Sequence, residues 1–340
     1  MLNPEQLSRI EAAAAILRKG GVVAMPTETV YGLAADASNA EAVKRIFAVK
    51  GRPADHPLIV HIADESQLGY WASVVPQAAK VLARQFWPGP LTLILLRNKN
   101  VLDVITGGQD TIGLRVPDHP VALALLRAMG ADVGLAAPSA NRYGRISPTT
   151  AQHVHDELGD SVDMILDGGP CQVGLESTIV SCIGDSVTVL RPGGIPVSAI
   201  EEVLQHKIEV VDSTDAKIRV SGSVLSHYAP NTPLELVTKE TLWQRACSLE
   251  EQGLRVAILE WSSPDEVHLS STVHSDHADI VRTAMPANAV IYGQMLYATL
   301  RRLDNEHFDR LLAEAPPQTV EWLAVADRLK RASHREDALL

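Results

Sequence analysis

The 340 residues are too many for one ordinary hydrophobic core and comfortable for two domains. Hydrophobic residues make up 46% and charged residues 21%, with no long polar tract, which is the composition of a folded protein. A net charge of −11 argues against a protein that coats nucleic acid, and 4% aromatic residues leave little for a base-stacking platform. The first 21 residues read as an amphipathic helix carrying Glu5 and Glu11, not as a basic leader followed by an apolar run. Short apolar, β-rich runs follow at 22–25, 58–62, 91–96, 112–116, 134–137, 164–167, 178–182 and 187–190. Helix-period segments sit between them at 40–49, 77–86, 120–129 and 151–158. This alternation predicts an α/β domain on a twisted mixed sheet, since the closely spaced strands at 178–190 read as an antiparallel hairpin.

One more helix at 197–206 precedes a polar stretch, rich in Ser, Asp, Gly and Pro, that reads as a linker to about residue 233. A second, smaller α/β pattern of Rossmann-like kind follows. It has strands expected at 234–237, 256–259 and around 290–292, and helices at 241–251, 294–303 and 320–332. The domain boundaries expected are therefore 1–205, a linker over 206–233, and 234–340. The acidic excess lies mostly in the second part. Residues 201–340 carry 14 Lys and Arg against 22 Asp and Glu, while residues 1–200 carry 16 against 19, leaving room there for a local basic pocket. Cys171, Cys182 and Cys247 have no metal-ligand spacing and fit a reducing compartment. No run of about 18 apolar residues occurs, so no membrane span is expected and the cytoplasm is the expected location.

Six clusters could carry chemistry. Pro26 to Leu33 follows the first strand with two threonines, an acid and a tyrosine, which suits a binding site at a strand end or simply a polar turn into a helix capped by Thr27 or Thr29. Lys50-Gly51-Arg52-Pro53, with His56 and His61 nearby, makes a stiff basic loop suited to triphosphate oxygens. Lys50 and Arg52 also lie where a helix dipole favours cations, and His61 in an apolar strand is often a core histidine. Arg115 sits inside the strand at 112–116 and needs an anionic partner, either a ligand carboxylate or phosphate or a neighbouring acid. Ala136 to Asn141 and Ser147-Pro148-Thr149 offer a close backbone approach and neutral hydrogen bonds from Ser139, Asn141 and Ser147, although Ser147 or Thr149 could equally be a helix cap. Gly174 to Thr178 and Leu190 to Gly194 add Ser177 and Arg191. No Ser/His/Asp order, metal motif or Walker loop accompanies them. The pocket implied suits a nucleotide-dependent reaction driven by positioning and charge neutralisation.

Taken in order, PTETVYGL, KGRPADHPLIVHI, FWPGPLTLIL, TIGLRVPDHP, APSANRYGRISPT, LDGGP, GLESTIV and LRPGGI resemble the YrdC-like threonylcarbamoyl-AMP synthase family over roughly residues 8–200. Ser226-His227-Tyr228-Ala229-Pro230 and segments around Leu296–Asp304 and Asp327-Arg328-Leu329 are similar to its long, two-domain form. Two departures are visible: Ser221-Gly222-Ser223 stands where the family linker reads Pro-Gly-Met, and Glu321-Trp322-Leu323-Ala324 replaces a Gly-Leu-Gly-like start of the last helix.

The resemblance implies an open twisted sheet with a concave basic face. On it ATP, carrying Mg²⁺ on its phosphates rather than on protein side chains, would react with L-threonine and bicarbonate. It implies that Lys50 and Arg52 are catalytic. Together with His56, Thr111, Ser139, Asn141, Ser147, Arg191 and Asn231 they would hold ATP. Thr29, Tyr31, His61, Arg115, Ala137 and Ser177 would line the threonine side, and His227 and Tyr228 would act as a lid. The product would pass to a tRNA threonylcarbamoyl transferase complex, with direct tRNA contact at most weak. An RNA-binding module and a carbamoyl transferase are the alternatives.

Overall fold

Asn3 opens the first helix with reciprocal bonds: its side chain accepts from the Gln6 backbone, and the Gln6 side chain accepts from the Asn3 N–H. This helix, α1 (Pro4–Arg18), begins a computed structural model that describes residues 2–184, 186–211, 218–222, 228–261, 272–274 and 279–334. The chain divides into two compact units, Met1–Tyr143 with Ser147–Ser223, and Gly144–Ile146 with Val224–Leu340.

After α1 the first unit continues with β1 (Val23–Met25), β2 (Gly32–Asp36), α2 (Ala40–Lys50), β3 (Ile59–His61), α3 (Leu68–Trp71) and α4 (Gln77–Phe86). There follow β4 (Leu91–Leu96), α5 (Asp103–Thr106), β5 (Thr111–Arg115), α6 (Pro120–Met129), β6 (Leu135–Ala136), α7 (Ala151–Leu158) and β7 (Met164–Ile165). The unit ends with β8 (Thr178–Ser181), β9 (Thr188–Arg191), α8 (Val197–Leu204) and β10 (Glu209–Val210). The strands form one open, twisted, mixed sheet in the order β10-β9-β8-β4-β5-β3-β6-β2-β1-β7. The hairpin β8–β9 and the pair β4–β5 are antiparallel, whereas β3–β5 and β4–β8 are parallel.

One core joins α1 to α6. Ile10, Ala13, Ala14 and Leu17 pack with Val121, Leu125, Leu126 and Met129 over Val23, Met25 and Leu135. Each large aliphatic buried there contributes about 1.5–3 kcal/mol. A second cluster places Ile218 and Val220, from the stretch read as linker, against Ile94, Ile179 and Leu190. With β10 paired to β9, the described residues of that stretch up to 222 thus pack as part of the first unit.

In the second unit β11 (Leu234–Val237), α9 (Lys239–Glu250), β12 (Val256–Trp261), β13 (Thr272–His274), β14 (Ile280–Met285), α10 (Ala289–Asn305), β15 (Arg310–Glu314) and α11 (Leu323–Ser333) succeed one another. The sheet order is β11-β15-β12-β14-β13, parallel except for β13. Leu242, Ala246 and Leu249 of α9 bury against Val256, Ile258, Ile280 and Leu312.

Two sequence expectations are corrected. The residues after β1 do not enter a helix. They turn back into β2, which pairs antiparallel with β1, and the run GLAAD lacks the β-branched residues that would have signalled a strand. The strand expected at 290–292 is the first turn of α10. The Asn288 side chain accepts from the backbone of Val290 and Ile291, and a cap overrides the local β preference of Val-Ile-Tyr.

Candidate active site

The segment between β1 and β2 is buried throughout, and its hydroxyls are organised around Thr27. Thr27 Oγ1 accepts from the backbone of Thr29 and Val30 and donates to the Val30 carbonyl, while lying 2.8 Å from Thr29 Oγ1. Thr29 Oγ1 in turn accepts from Arg115 at 2.9 Å. Arg115, at the end of β5, also donates to the Gly89 carbonyl at 3.3 Å and forms an ion pair with Glu28 at 2.6 Å. Both side chains of that pair are only 5% exposed. The sequence left the partner of Arg115 open between a ligand anion and a neighbouring acid; the structure supplies Glu28.

Register then carries the network across the sheet. His61 lies beside Arg115 on β3 and opposite Leu135 on β6. It is buried, and desolvation, followed by the Arg115 charge, holds its pKa down at about 3, so the ring is neutral. Ala137, just past β6, donates to the Ile59 carbonyl, and Ser139 bridges to Gly32.

Helix α2 ends in Gly51, whose positive φ of 61° makes a left-handed cap. Lys50, the last helical residue, is thereby turned inward. Its Nζ donates to the carbonyls of Ser139, at 2.6 Å, and Asn141, and burial, then the neighbouring Arg52, depresses its pKa well below the usual lysine range. Arg52 is buried and donates to the Pro57 carbonyl at 3.0 Å. His56 is partly exposed, edge-on to the Tyr143 ring at 5.6 Å, and its pKa is lowered by burial and by Arg52.

On the far side of the cluster Ser147 donates to Glu176 at 2.6 Å, and Asn141 donates to the Arg142 carbonyl. Ser177 Oγ is 2.7 Å from Thr92 Oγ1. Arg191, at the end of β9, donates to the Ser177 carbonyl at 2.8 Å and to the Ser221 carbonyl at 2.7 Å. Gly193 permits this closure, because a Cβ there would lie 2.4 Å from the Glu176 carbonyl oxygen and 2.5 Å from the Thr178 nitrogen. The hydroxyl of Tyr31 is spent on the Gly168–Gly169 turn, donating to the Gly169 carbonyl at 2.8 Å and accepting from Gly168 N–H. Burial raises its pKa further.

Thr111 adjoins this network through Pro57 and Ser221, whose carbonyls accept from Arg52 and Arg191. It lines a small hollow with Pro57, Ile94, Gln109, Val220 and Ser221. Tyr228 and Asn231 belong to the second unit. Tyr228 is fully buried, stacked on Tyr297 at 5.6 Å, with the Arg328 guanidinium 5.2 Å from its ring, and Asn231 bonds Asp304 through both its backbone and side-chain nitrogens. His227 lies outside the described residues. Glu28, Thr92 and Glu176 were not among the expected site residues. The usable signal was that buried cations in strands demand buried acids, and Glu28 and Glu176 both stood inside the motifs of the resemblance.

Among its described residues the first unit therefore buries four cationic side chains, Lys50, Arg52, Arg115 and Arg191, and two carboxylates, Glu28 and Glu176. It is an α/β domain with a cluster of buried cationic side chains. Comparison with known proteins defines it further. Residues 15–193 match the Sua5–YciO–YrdC family, described as telomere recombination, and residues 195–334 match the threonylcarbamoyl-AMP synthase C-terminal domain. The threonylcarbamoyl-AMP synthase of Bacillus subtilis is 41% identical over 330 residues, covering 96% of this chain and 93% of that protein. That of Pyrococcus abyssi is 39% identical over 338 residues, covering 96% and 94%. The crystal structure of P. abyssi Sua5 complexed with L-threonine superposes with a TM-score of 0.86 at 36% identity, covering 96% of this chain and 94% of that one. The chain belongs to the threonylcarbamoyl-AMP synthase family, a family of enzymes. Among the described residues no helix is long and apolar enough to cross a membrane.

Proposed function

We propose that the protein makes L-threonylcarbamoyl-AMP from L-threonine, bicarbonate and ATP, releasing pyrophosphate, and that the product serves threonylcarbamoyl-adenosine modification of tRNA beside the anticodon. The observation that carries this reading is the cluster of buried cations in the first unit. Among the described residues Lys50, Arg52, Arg115 and Arg191 gather guanidinium and ammonium donors in one unit, and a triphosphate and an amino-acid carboxylate are the anions such donors bind best. The name of the relatives supports the chemistry, and the L-threonine with which P. abyssi Sua5 was crystallised supports the choice of amino acid.

In this mechanism bicarbonate takes up a proton and loses water to give CO2, the neutral amine of threonine attacks its carbon, and the amine releases a proton, so that the net products are a carbamate and water. A carbamate oxygen then attacks the α-phosphorus of ATP, and the bond to the β-phosphate oxygen breaks. Lys50, Arg52 and Arg191 offset charge on the phosphates as it shifts toward pyrophosphate. Mg²⁺ on the phosphate oxygens would add further neutralisation; the hydroxyl and cationic donors of the site fit a ligand that brings its own metal. Arg115 receives the threonine carboxylate, with Thr29 and Ser177 beside it. The neutral state of His61 keeps a further cation off that side. Residues 1–205 form the catalytic domain, 206–233 the linker, and 234–340 the smaller domain.

The test is pyrophosphate release from ATP and Mg²⁺ with bicarbonate across all twenty amino acids. Release that requires both threonine and bicarbonate, with a threonylcarbamoyl-AMP mass, is expected. Arg52→Ala is expected to lower turnover by about 10²-fold or more, the scale seen when one charge-stabilising donor is removed. Release independent of threonine, or full activity of a folded Arg52→Ala protein, would overturn the reading.

A further inference from the structure

The catalytic reading leaves one cluster in the second unit without a use. Parallel strands β11, β15 and β12 end together, and in α/β sheets ligands bind outside the carboxyl ends of the strands. Glu314 is the last residue of β15, Trp261 the last of β12, Lys239 the first of α9, and Tyr292 stands in the first turn of α10. Glu314 is 3% exposed and Tyr292 is fully buried. One carboxylate oxygen of Glu314 accepts from the Trp261 backbone at 3.2 Å. The other oxygen, the Tyr292 hydroxyl and the Trp261 indole N–H are all buried and have no hydrogen-bond partner among the described residues. A desolvated polar atom without a partner is costly, more so when charged, so three at one edge mark a place where a partner belongs.

The surroundings indicate its charge. Trp322 lies 5.8 Å from Trp261 and 5.4 Å from Tyr292, forming an aromatic wall. Burial raises the Glu314 carboxyl on balance, with Glu260 and Glu240 adding to the rise and the Trp261 N–H and the Lys239 charge opposing it, so the carboxylate form calls for more positive charge than Lys239 supplies. The chain's own ammonium already leans toward this wall: Lys239 Nζ sits 5.9 Å from the Trp261 ring centre, drawn by the indole face, yet it leaves the second carboxylate oxygen of Glu314 without a hydrogen bond. An anionic ligand is disfavoured by the 22 acidic against 14 basic residues of the chain from 201 onward.

We propose that this strand edge is a second binding site, for a small organic primary ammonium. Its N–H groups donate to Glu314 Oε1 and to the Tyr292 hydroxyl oxygen, its alkyl part lies on Trp261 and Trp322, and an oxygen beside the ammonium accepts from the Trp261 indole N–H. The site is separate from the cationic cluster of the first unit and does not depend on the reaction proposed for it.

The full chain is titrated with ethanolamine by calorimetry and by thermal shift, in the presence of saturating L-threonine and ATP. Saturable binding is expected, with tetramethylammonium, which has no N–H to donate, at least about tenfold weaker. Glu314→Gln is expected to weaken ethanolamine by about tenfold or more while leaving the unliganded protein as stable or more so, because a buried carboxylate with one unsatisfied oxygen is replaced by a neutral amide that still accepts from Trp261. Tyr292→Phe tests the same contact without altering charge and is expected to weaken binding several-fold. Lys239→Met removes the competing ammonium and is expected to tighten it. Absence of saturable binding, equal binding of tetramethylammonium, indifference to Glu314→Gln and Tyr292→Phe, or displacement by threonine or ATP would each overturn the proposal.

Discussion

Replacing Glu28 by Gln removes one charge and almost no volume from the centre of the candidate site. The pair it forms with Arg115 is 2.6 Å long, and both side chains are 5% exposed, so solvent screens it little. Removing one member of a buried pair leaves the other charge uncompensated and costs about 3–5 kcal/mol. Arg115 keeps its bonds to Thr29 Oγ1 and the Gly89 carbonyl, which places the cost near the lower end, about 3 kcal/mol. For a unit of this size that corresponds to a fall of roughly 6–12 °C in Tm. Calorimetric unfolding of the wild type, Glu28→Gln, Arg115→Met and the double variant measures it. The double variant carries no charge at the pair and is expected to recover part of either single loss. Saturating L-threonine is expected to raise the Tm of Glu28→Gln more than that of the wild type, because the ligand carboxylate supplies the missing anion. A Glu28→Gln protein melting within about 1 °C of wild type, or losses that simply add in the double variant, would refute the account of a coupled buried pair.

Lys50 is held below its usual pKa in the unliganded site, and a phosphate beside it would raise it again, so ATP binding is expected to take up protons at pH values below the usual lysine range. Calorimetry in buffers of different ionisation enthalpy measures this, and uptake unchanged in Lys50→Met would assign it elsewhere. His61 has a folded pKa of about 3 against 6.5 in the unfolded chain, so its contribution is present above pH 6.5 and is lost as pH falls toward 3. The full shift is worth about 5 kcal/mol, and His61→Gln is expected to flatten the acid limb of the stability curve by a measurable part of that. Asp304 accepts from the backbone of Asn231 at 2.9 Å and Thr232 at 2.8 Å and pairs with Arg145 at 3.3 Å. Asp304→Asn is expected to destabilise the second unit by about 2–3 kcal/mol in denaturant unfolding, and an unchanged midpoint would contradict it.

Most strands and helices of the first unit were legible because period and caps agree there, as in α2, α6 and α7. What escaped was β2, whose Gly and Ala residues carry no strand signal and which is held by pairing on both sides, with β1 and with β6. Strands β14 and β15 escaped as well. Ile280–Met285 mixes Arg and Thr into its apolar pattern, and Arg310–Glu314 begins and ends on charged residues, although the interior of each is paired on both sides. Val290 and Ile291 misled in the opposite sense, since a cap set by Asn288 decides that segment rather than side-chain preference.

The cations of the site were legible for a reason that also explains why the anions were not. Lys50, Arg52, Arg115 and Arg191 sit in apolar strands or at helix ends, where a charge is conspicuous against its neighbours in sequence. Glu28 and Glu176 stand among threonines and serines, where an acid looks like part of a polar turn, and only the folded sheet brings Glu28 to Arg115, 87 positions away. A pairing of that sequence separation leaves no local trace. The charge balance does leave one: a buried arginine in a strand requires an acid, and the candidates are confined to the few acids inside buried motifs. Among the described residues of the unit, four buried cationic side chains stand with two buried carboxylates, and under the proposed function these cations are the groups that meet the phosphates of ATP.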